Sequence, residues 1–218
     1  MTARLIVFAK APVPGAVKTR MRPALSAVQC AILHSHLVQR TVRTASAAFP
    51  GQVELCCAPD ATHTFFQQLA RRYGLRLSRQ HGADLGERMY RALFDASSDG
   101  DTPLLIGTDC LALDADYLRA AHKRLTRGSE LVLGPAADGG YFLVGARCAR
   151  ADWFKGIDWG TSVVLAQTRQ RLLKLRTRWA ELTPLHDIDR PHDLDLVDAD
   201  AALRGWRTDW EPSWLASG

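Results

Sequence analysis

Three cations accompany a stiff loop near the start of the chain. The segment FAKAPVPGAVKTR, residues 8–20, contains Lys10, Lys18 and Arg20 together with two prolines and one glycine. Apolar residues ended by Pro and Gly predict a buried strand that leaves through a turn. Lys and Arg side chains beside a divalent cation supply the charge stabilisation that phosphoryl chemistry requires. The loop therefore indicates a polyphosphate site, and a proline-rich turn with exposed cations is the alternative.

The backbone of this loop fits neither of two common phosphate-binding motifs. The GxxxxGK[ST] pattern fails because Gly15 is followed by Ala16 and Val17 before the lysine, and GxGxxG fails because the loop has a single glycine. Backbone N–H groups can still form a phosphate-binding nest without a fixed motif. Pro12 and Pro14 fix φ and donate nothing. The predicted N–H donors are therefore Ala11, Val13, Gly15 and Ala16.

Two acids stand beside turns at predicted strand ends. Asp109 follows the apolar residues and Gly–Thr turn of LLIGTDCLAL. An acid in this position can bind Mg²⁺ or Mn²⁺, because magnesium uses few protein carboxylates and leaves its other positions to water and phosphate. Asp is also common in ordinary turns. Asp138, Gly139 and Gly140 precede an apolar strand, where close approach of a ligand and hairpin geometry explain the glycines equally well.

A last cluster of acids lies in LHDIDRPHDL, residues 185–194. Asp187 and Asp189 are two residues apart, so on an extended segment they share one face. Asp189 also precedes a helix predicted to begin near Pro191, where it could serve as an N-cap. His186 and His192 suggest zinc, but no third ligand with zinc-like spacing accompanies them.

The net charge of +5 is unevenly distributed along the 218 residues. Residues 1–50 hold seven Lys or Arg and no acid, whereas residues 181–218 hold nine acids and three arginines. A uniformly basic nucleic-acid binder is not usually segregated in this way. The arginine-rich segment RQRLLKLRTRW, residues 169–179, is typical of a solvated helix face and lacks a stacking platform for bases. We therefore expect no nucleic-acid partner.

Composition places the chain among ordinary globular proteins, with 47% apolar and 23% charged residues. No apolar run approaches the roughly 20 residues of a membrane span, and the first residues lack a signal-peptide layout. The five cysteines form no CxxC pair, which is typical of reduced thiols. These features predict a cytoplasmic protein without a membrane partner.

Strand and helix patterns alternate along most of the chain. This alternation predicts an α/β sandwich around a mostly parallel sheet, with residues 1–203 as one domain and 204–218 as a tail. The predicted strands are RLIVFAK, QVELCCA, LRLSRQ, TPLLIGTD, SELVLGPA and GYFLVGA. The predicted helices cover Ser26 to about Phe49, ATHTFFQQLARRYG, DLGERMYRALFDAS, DADYLRAAHKRLTRG, about 161–176, and a segment opening near Pro191.

The motifs together resemble bacterial glycosyltransferase-like proteins of the radical-SAM/selenodomain-associated transferase family. These proteins are similar to phospholactate guanylyltransferases and belong to the GT-A superfamily. The resemblance extends to about residue 200 and is carried by FAKAPVPGAVKTRM, RQHGADLGERM, LLIGTDC, GPAADGGYFLVG, FKGIDWGTSVVL and DIDRPHDL. It implies a Rossmann-like α/β/α sandwich of the GT-A (nucleotide-diphospho-sugar transferase) type. The chain departs from the family pattern at Leu111, where relatives usually have Pro, and at Arg22.

The resemblance also implies roles for individual residues. Asp109 is the principal metal ligand and Asp189 the second, while Gln80, Asp84 and Arg88 lie near the nucleotide or the acceptor. The predicted nucleotide-binding residues are Lys10, Ala11, Pro12, Gly15, Lys18, Arg20, Gln80, Asp84 and Arg88. The predicted acceptor-binding residues are Asp138, Gly139, Gly140 and Tyr141. Lys18, Arg20 and Asp109 are the predicted catalytic residues.

The predicted activity is Mg²⁺- or Mn²⁺-dependent transfer of a nucleotidyl group from a nucleoside triphosphate to a small phosphorylated or acidic acceptor, with release of pyrophosphate. The alternative is a glycosyltransferase that uses a nucleotide-sugar. Glycosyltransferases of this fold often carry a DxD pair, whereas GTDCL has one acid. A non-catalytic nucleotide-binding protein is a lesser alternative. The expected partners are small molecules, and homodimer formation is left open.

Overall fold

The computed structural model describes residues 2–203, 205–208, 212 and 214, and the described residues form a seven-stranded sheet. In chain order the strands are β1 (Ala3–Lys10), β2 (Val53–Ala58), β3 (Arg76–Arg79), β4 (Thr102–Ile106), β5 (Leu131–Pro135), β6 (Tyr141–Ala146) and β7 (Trp179–Glu181). Their spatial order is β3-β2-β1-β4-β6-β5-β7. The six strands predicted from the sequence are all confirmed.

The sheet is mostly parallel, as the sequence predicts. Strand β1 pairs in parallel with β2 on one side and with β4 on the other, so that Leu5 lies opposite Val53 and Leu104. Leu5 and Ile6 are both almost completely buried although they point to opposite faces. A strand covered on both faces must be apolar throughout, which explains the continuous run of β1.

Six α-helices of the described chain flank the sheet. They are α1 (Ala27–Ala48), α2 (Thr64–Tyr73), α3 (Leu85–Ser98), α4 (Ala115–Thr126), α5 (Val164–Lys174) and α6 (Leu194–Ala199). Ser26 and Gln29 form a reciprocal capping box at α1, and Asp84 and Asp114 accept hydrogen bonds from the first turns of α3 and α4. The predicted starts of these helices are therefore confirmed.

Two apolar clusters cover the two faces of the sheet. Leu5 and Val7 belong to the cluster that includes residues of α1, α2 and α4, whereas Ile6 belongs to the cluster that includes residues of α3 and α5. A third cluster joins α1 to α6 through Leu37, Ile188 and other buried residues. The result is the predicted α/β/α sandwich.

Two features of the sheet differ from the sequence prediction or go beyond it. Strand β6 runs antiparallel between β4 and β5, and β7 pairs in parallel with β5. Strand β7 has only three residues, which is too short for a periodic pattern.

Two helix boundaries also differ from the sequence prediction. Helix α5 begins at Val164 rather than near residue 161. Near Pro191 a 3₁₀ turn, Pro191–Asp193, precedes α6.

The C-terminal segment contributes to two of the apolar clusters. Trp206 is buried in the third cluster, and Trp214 is buried against Phe65. The boundary between a domain at 1–203 and a tail at 204–218 stays a prediction, and much of that tail lies outside the described residues. Among the described residues, no helix has the length and apolar character that crossing a membrane requires. The cysteines are free thiols, four of them buried.

Candidate active site

A cleft opens where β1 and β4 end at the same edge of the sheet. Because the two strands are parallel neighbours, the loop after Lys10 and the turn after Ile106 meet there. The cleft contains a cavity of about 340 Å³. Among the residues that line the cavity are Lys10, Lys18, Arg20, His34, Asp109 and Asp189. The predicted cations and the two predicted metal ligands therefore converge, although Asp189 lies far along the chain.

The inner contact of the cleft is an ion pair between Lys18 and Asp109. The Lys18 Nζ lies 2.8 Å from Asp109 Oδ1, and only 3% of the lysine side chain is exposed, against 41% of the aspartate. Lys18 also donates a hydrogen bond to the carbonyl oxygen of Ile188. Burial raises the pKa of Asp109, but the charge of Lys18 and the hydrogen bonds from Lys18 and Thr108 outweigh it and lower the pKa overall. Asp109 is therefore a carboxylate at neutral pH.

The outer contact of the cleft is an ion pair between Arg20 and Asp189. The Arg20 Nη1 lies 2.7 Å from Asp189 Oδ2, and the side chains are 56% and 35% exposed. Asp189 does not cap the following helix, which corrects the alternative considered from the sequence. The Asp193 carboxylate instead binds back to the start of the 3₁₀ turn: its Oδ2 accepts hydrogen bonds from the N–H groups of Asp189 and Arg190 at 2.9 and 2.7 Å. The Asp189 carboxylate is thus directed to the cleft.

Asp187 joins this cluster, although we did not select it as a ligand from the sequence. Ile188 donates its N–H to the Asp109 carbonyl oxygen at 2.8 Å, and Asp187 forms a bridge with Cys110, so that the segment lies beside Asp109. The Asp187 Oδ1 is buried and has no hydrogen-bond partner among the described residues. Burial, with the charges of Asp109 and Asp138, raises the pKa of Asp187 to about 7. Its spacing of two from Asp189 was the available signal.

His34 is a second residue that the sequence did not reveal. It lies on α1, is 6% exposed, and its Nε2 donates to the Lys10 carbonyl oxygen at 2.9 Å. Burial lowers the pKa of His34, so the ring is neutral at physiological pH. The ring therefore ties the end of β1 to α1 below the cleft.

The predicted phosphate nest is not formed in this conformation. The N–H of Ala11 donates to the Ala58 carbonyl oxygen at 2.8 Å, that of Val13 to Ala11 at 2.8 Å, and that of Ala16 to Val13 at 3.0 Å. Of the four predicted donors only Gly15, with φ of 85°, has no such bond in the described part of the chain. Pro12 is buried within the loop. Side-chain cations, rather than this row of backbone groups, are available to an anion.

A second cavity of about 410 Å³ adjoins the first, sharing Lys10, Ala16 and Gln80 in its lining. The Gln80 amide donates to the Cys56 carbonyl oxygen at 3.0 Å and so spans the ends of β2 and β3. Arg88 also lines this cavity and donates to the Gly82 carbonyl oxygen at 3.1 Å. Two of the three residues of the QxGxDLGxRM segment therefore lie beside the cleft.

Asp84, the third residue, lines neither of these cavities. Its carboxylate accepts from the Glu87 N–H at 2.8 Å, which caps α3. The side chain lines a separate cavity of about 630 Å³ with Trp159 and other aromatic residues. The structure therefore places Asp84 at the helix start rather than among the cleft residues.

The predicted acceptor residues form a turn between β5 and β6. Asp138 Oδ1 accepts from the Gly140 N–H at 2.9 Å, and Tyr141 begins β6. The charge of Asp138 contributes to the raised pKa values of Arg20 and Asp187. The Asp138 carboxylate is therefore near enough to act on two residues of the cleft. A Cβ on Gly139 would lie 2.1 Å from the Ser162 carbonyl oxygen, so the segment before α5 packs directly on this turn.

The donor set suits a hard cation. Asp109, Asp187 and Asp189 offer carboxylate oxygens, which Mg²⁺ and Mn²⁺ prefer, and one or two of them suffice for magnesium. The orphaned Asp187 Oδ1 fits such a ligand. In the parts of the chain that the structure describes, no three His, Cys, Asp or Glu side chains are already arranged around a metal position. His186 and His192 instead contact Asp193 at 2.7 and 3.4 Å.

Comparison with known families identifies the chain. Residues 41–161 match the family described as "Uncharacterized protein conserved in bacteria (DUF2064)". The matched segment is more than half of the chain, so the protein belongs to this family. No curated protein sequence matches the chain.

Solved structures place the fold among nucleotide-dependent transferases. A "putative nucleotide-diphospho-sugar transferase" from Desulfovibrio desulfuricans G20 shares 27% identity over 96% of each chain, with a TM-score of 0.83. The 4-diphosphocytidyl-2C-methyl-D-erythritol synthase of Anaerococcus prevotii DSM 20548 shares 10% identity, with coverage of 93% and 98% and a TM-score of 0.56. Glucosyl-3-phosphoglycerate synthase from Mycobacterium tuberculosis, in complex with Mg²⁺ and UDP, shares 11% identity, with coverage of 97% and 81% and a TM-score of 0.52.

These likenesses confirm two predictions made from the sequence. The chain has the GT-A type of fold, since all three structures align with it over nearly its whole length. It is also a transferase, which rests on the Desulfovibrio protein because the other two are too distant in sequence to show more than the fold.

Proposed function

We propose that this member of the DUF2064 family is a divalent-metal-dependent nucleotidyltransferase that acts on a nucleoside triphosphate and a small phosphorylated or acidic acceptor. The observation that carries the proposal is the convergence of two ion pairs, Lys18–Asp109 and Arg20–Asp189, in one cleft. This convergence puts cations suited to phosphate oxygens next to oxygen ligands suited to Mg²⁺.

Asp109 and Asp189 would hold the metal, with Asp187 as a third oxygen donor. When bound, the metal supplies positive charge that offsets the charge of the phosphate oxygens. Lys10, Lys18 and Arg20 add to this charge, since their side chains line the same cavity.

In the proposed reaction, an acceptor oxygen attacks the α-phosphorus and forms the new P–O bond, while the bond from the α-phosphorus to the β-phosphate oxygen breaks. Pyrophosphate leaves with the electron pair of that bond. An acceptor that is already anionic needs no general base, so the protein contributes mainly positioning and charge. Lys18 and Arg20 would bind the oxygens on which charge develops.

The remaining substrate groups have candidate positions around the cleft. The adjoining cavity with Gln80 and Arg88 shares lining residues with the cleft, and its volume of about 410 Å³ is large enough for a nucleoside. The Asp138–Tyr141 turn connects β5 and β6 and would bind the acceptor.

Glycosyl transfer from a nucleotide-sugar is the second candidate. It is favoured by the description of the Desulfovibrio protein as a "putative nucleotide-diphospho-sugar transferase". One observation supports nucleotidyl transfer instead: the strand-end acid stands alone in GTDCL rather than in a DxD pair. The resemblance to phospholactate guanylyltransferases inferred from the sequence favours the same reaction and stays a prediction.

The test is product analysis with labelled substrates. The protein is incubated with each [α-³²P]-labelled nucleoside triphosphate and a panel of small phosphorylated and carboxylic acids, with Mg²⁺ or with EDTA. The proposal predicts a labelled adduct and equimolar pyrophosphate with Mg²⁺, and neither with EDTA. The matched controls are Asp109→Asn, which should be inactive, and Asp116→Asn, an exposed acid on α4 that should remain active. Release of nucleoside diphosphate from nucleotide-sugars, without pyrophosphate from triphosphates, would instead establish glycosyl transfer.

A further inference from the structure

We propose that the Lys18 ammonium acts as a built-in substitute for the metal, neutralising Asp109 in the free protein and moving to the substrate phosphates when metal and nucleotide bind. This inference rests on the proposed function and deepens it. It begins from the unusual surroundings of Lys18. The side chain is 3% exposed, although lysine is almost never fully buried without a partner.

The backbone of Lys18 is also unusual. Its φ of 49° and ψ of 35° lie in the left-handed region, which non-glycine residues rarely adopt. Such conformations persist only where the surrounding structure holds them. Here the conformation directs the side chain into the cleft, where the ammonium contacts Asp109 and the Ile188 carbonyl oxygen.

The position of the ammonium is one that a divalent cation could take. It lies between a carboxylate oxygen and a main-chain oxygen, and the acids on either side of Ile188 are Asp187 and Asp189. Carboxylate and carbonyl oxygens can coordinate Mg²⁺, and they can also accept hydrogen bonds from an ammonium group. Because like charges repel strongly at short distance, the ammonium and a metal ion cannot both bind the same Asp109 oxygen. A metal ion that binds there must displace Lys18.

A displaced Lys18 needs a new partner, because an unpaired ammonium is costly to bury. Phosphate oxygens in the cleft provide that partner, and the long flexible side chain can reach more than one acceptor. Metal binding without phosphate therefore leaves Lys18 unpaired, whereas metal binding with phosphate does not. Binding of the two ligands is consequently coupled, so that each ligand raises the affinity of the protein for the other.

Removal of the ammonium tests this inference directly. Lys18→Met keeps an apolar stem of similar length, and Lys18→Arg keeps the charge. The matched control is Lys155→Met, because Lys155 forms an ion pair of the same 2.8 Å length with Asp152 but is 67% exposed. Affinity for Mn²⁺ alone, without any phosphate, is measured from the loss of the free-ion electron paramagnetic resonance signal.

The proposal predicts that Lys18→Met binds Mn²⁺ at least about fivefold more tightly than the wild type, a factor at the low end of usual coupling energies. Lys18→Arg and Lys155→Met should bind like the wild type. Equal affinity of Lys18→Met and wild type would overturn the proposal. Absence of Mn²⁺ binding to every protein, with and without pyrophosphate, would instead contradict the metal dependence in the proposed function.

A second measurement uses the wild-type protein and tests the proposal even if Lys18→Met does not fold. The side-chain ¹⁵N resonance of Lys18 reports its hydrogen-bond partner. We expect this resonance to move when Mg²⁺ and pyrophosphate are added together, because the ammonium then leaves Asp109. A resonance that stays in place when both ligands are bound would show that Lys18 does not exchange partners.

Discussion

The two ion pairs of the cleft differ in their surroundings more than in their geometry. Lys18–Asp109 and Arg20–Asp189 have nearly equal lengths of 2.8 and 2.7 Å. The two acids are similarly exposed, but the Lys18 ammonium of the inner pair is buried, whereas the Arg20 side chain of the outer pair is 56% exposed. Buried pairs are costly to break on one side, while exposed pairs contribute little to stability. The inner pair therefore stabilises the free protein and can be broken only when ligands supply new partners, whereas the outer pair can rearrange at little cost.

The largest effect is expected from Asp109→Asn, which breaks the inner pair. Loss of the charge leaves the Lys18 ammonium uncompensated, so the free energy of unfolding should fall by about 3 kcal/mol, the low end for a broken buried pair because the carboxylate is partly exposed. Transferase activity should fall by about a thousandfold, comparable to loss of a strong transition-state contact. Urea unfolding and initial rates measure the two quantities, with Asp116→Asn as the control. A variant of wild-type stability would contradict the role of the inner pair.

The next effect concerns Asp193, which holds the outer acid in place. Asp193→Ala removes the acceptor for the N–H groups of Asp189 and Arg190. Unsatisfied groups of this kind cost about 1–3 kcal/mol, so the protein should be destabilised by about 2 kcal/mol. Activity should also decrease, because Asp189 loses its orientation. Asp195→Ala, an exposed acid on α6, is the control, and equal unfolding curves for the two variants would contradict this role.

Breaking the outer pair should separate function from stability. Arg20→Ala should change the free energy of unfolding by less than about 1 kcal/mol, because the pair is exposed. Transfer should nevertheless slow by about tenfold or more, since the guanidinium would bind phosphate oxygens. Parallel measurements of kcat and thermal unfolding test the separation. A loss of stability as large as that of Asp109→Asn would remove the distinction between the two pairs.

The smallest expected effect is that of salt on the outer pair. The coupling energy between Arg20 and Asp189, measured by a double-mutant cycle, should be a few tenths of a kcal/mol and should decrease further in 1 M NaCl. The coupling energy of the inner pair should decrease less, because water and ions have little access to Lys18. Equal salt dependence of the two couplings would indicate equal exposure in solution.

Much of the fold could be predicted from the sequence because local signals agree with the tertiary structure. The apolar run of β1 and the caps Ser26, Asp84 and Asp114 each act within a few residues. The pairing of β6 with β4 and that of β7 with β5 depend on contacts between distant segments. No local pattern encodes such pairings.

The candidate active site, like the fold, could be predicted from the sequence only in part. Convergence of Lys18 and Asp109 follows from the rule that parallel strands end at one edge. The burial of Lys18, the orphaned oxygen of Asp187 and the position of His34 result from long-range packing and could not be predicted. The predicted phosphate nest is not formed in this conformation, because the Ala11 N–H is bonded to Ala58, a residue of the neighbouring strand β2.

The central claim is that a metal ion and the substrate phosphates bind together in this cleft. The most direct test is the position of the metal in crystals of the wild-type protein soaked with Mn²⁺ and a non-hydrolysable nucleoside triphosphate. The anomalous scattering of manganese distinguishes the ion from water and from protein atoms. We predict a peak at coordination distance from the Asp109 carboxylate, with Lys18 and Arg20 contacting phosphate oxygens. A bound nucleotide whose metal lies away from Asp109 would contradict the account.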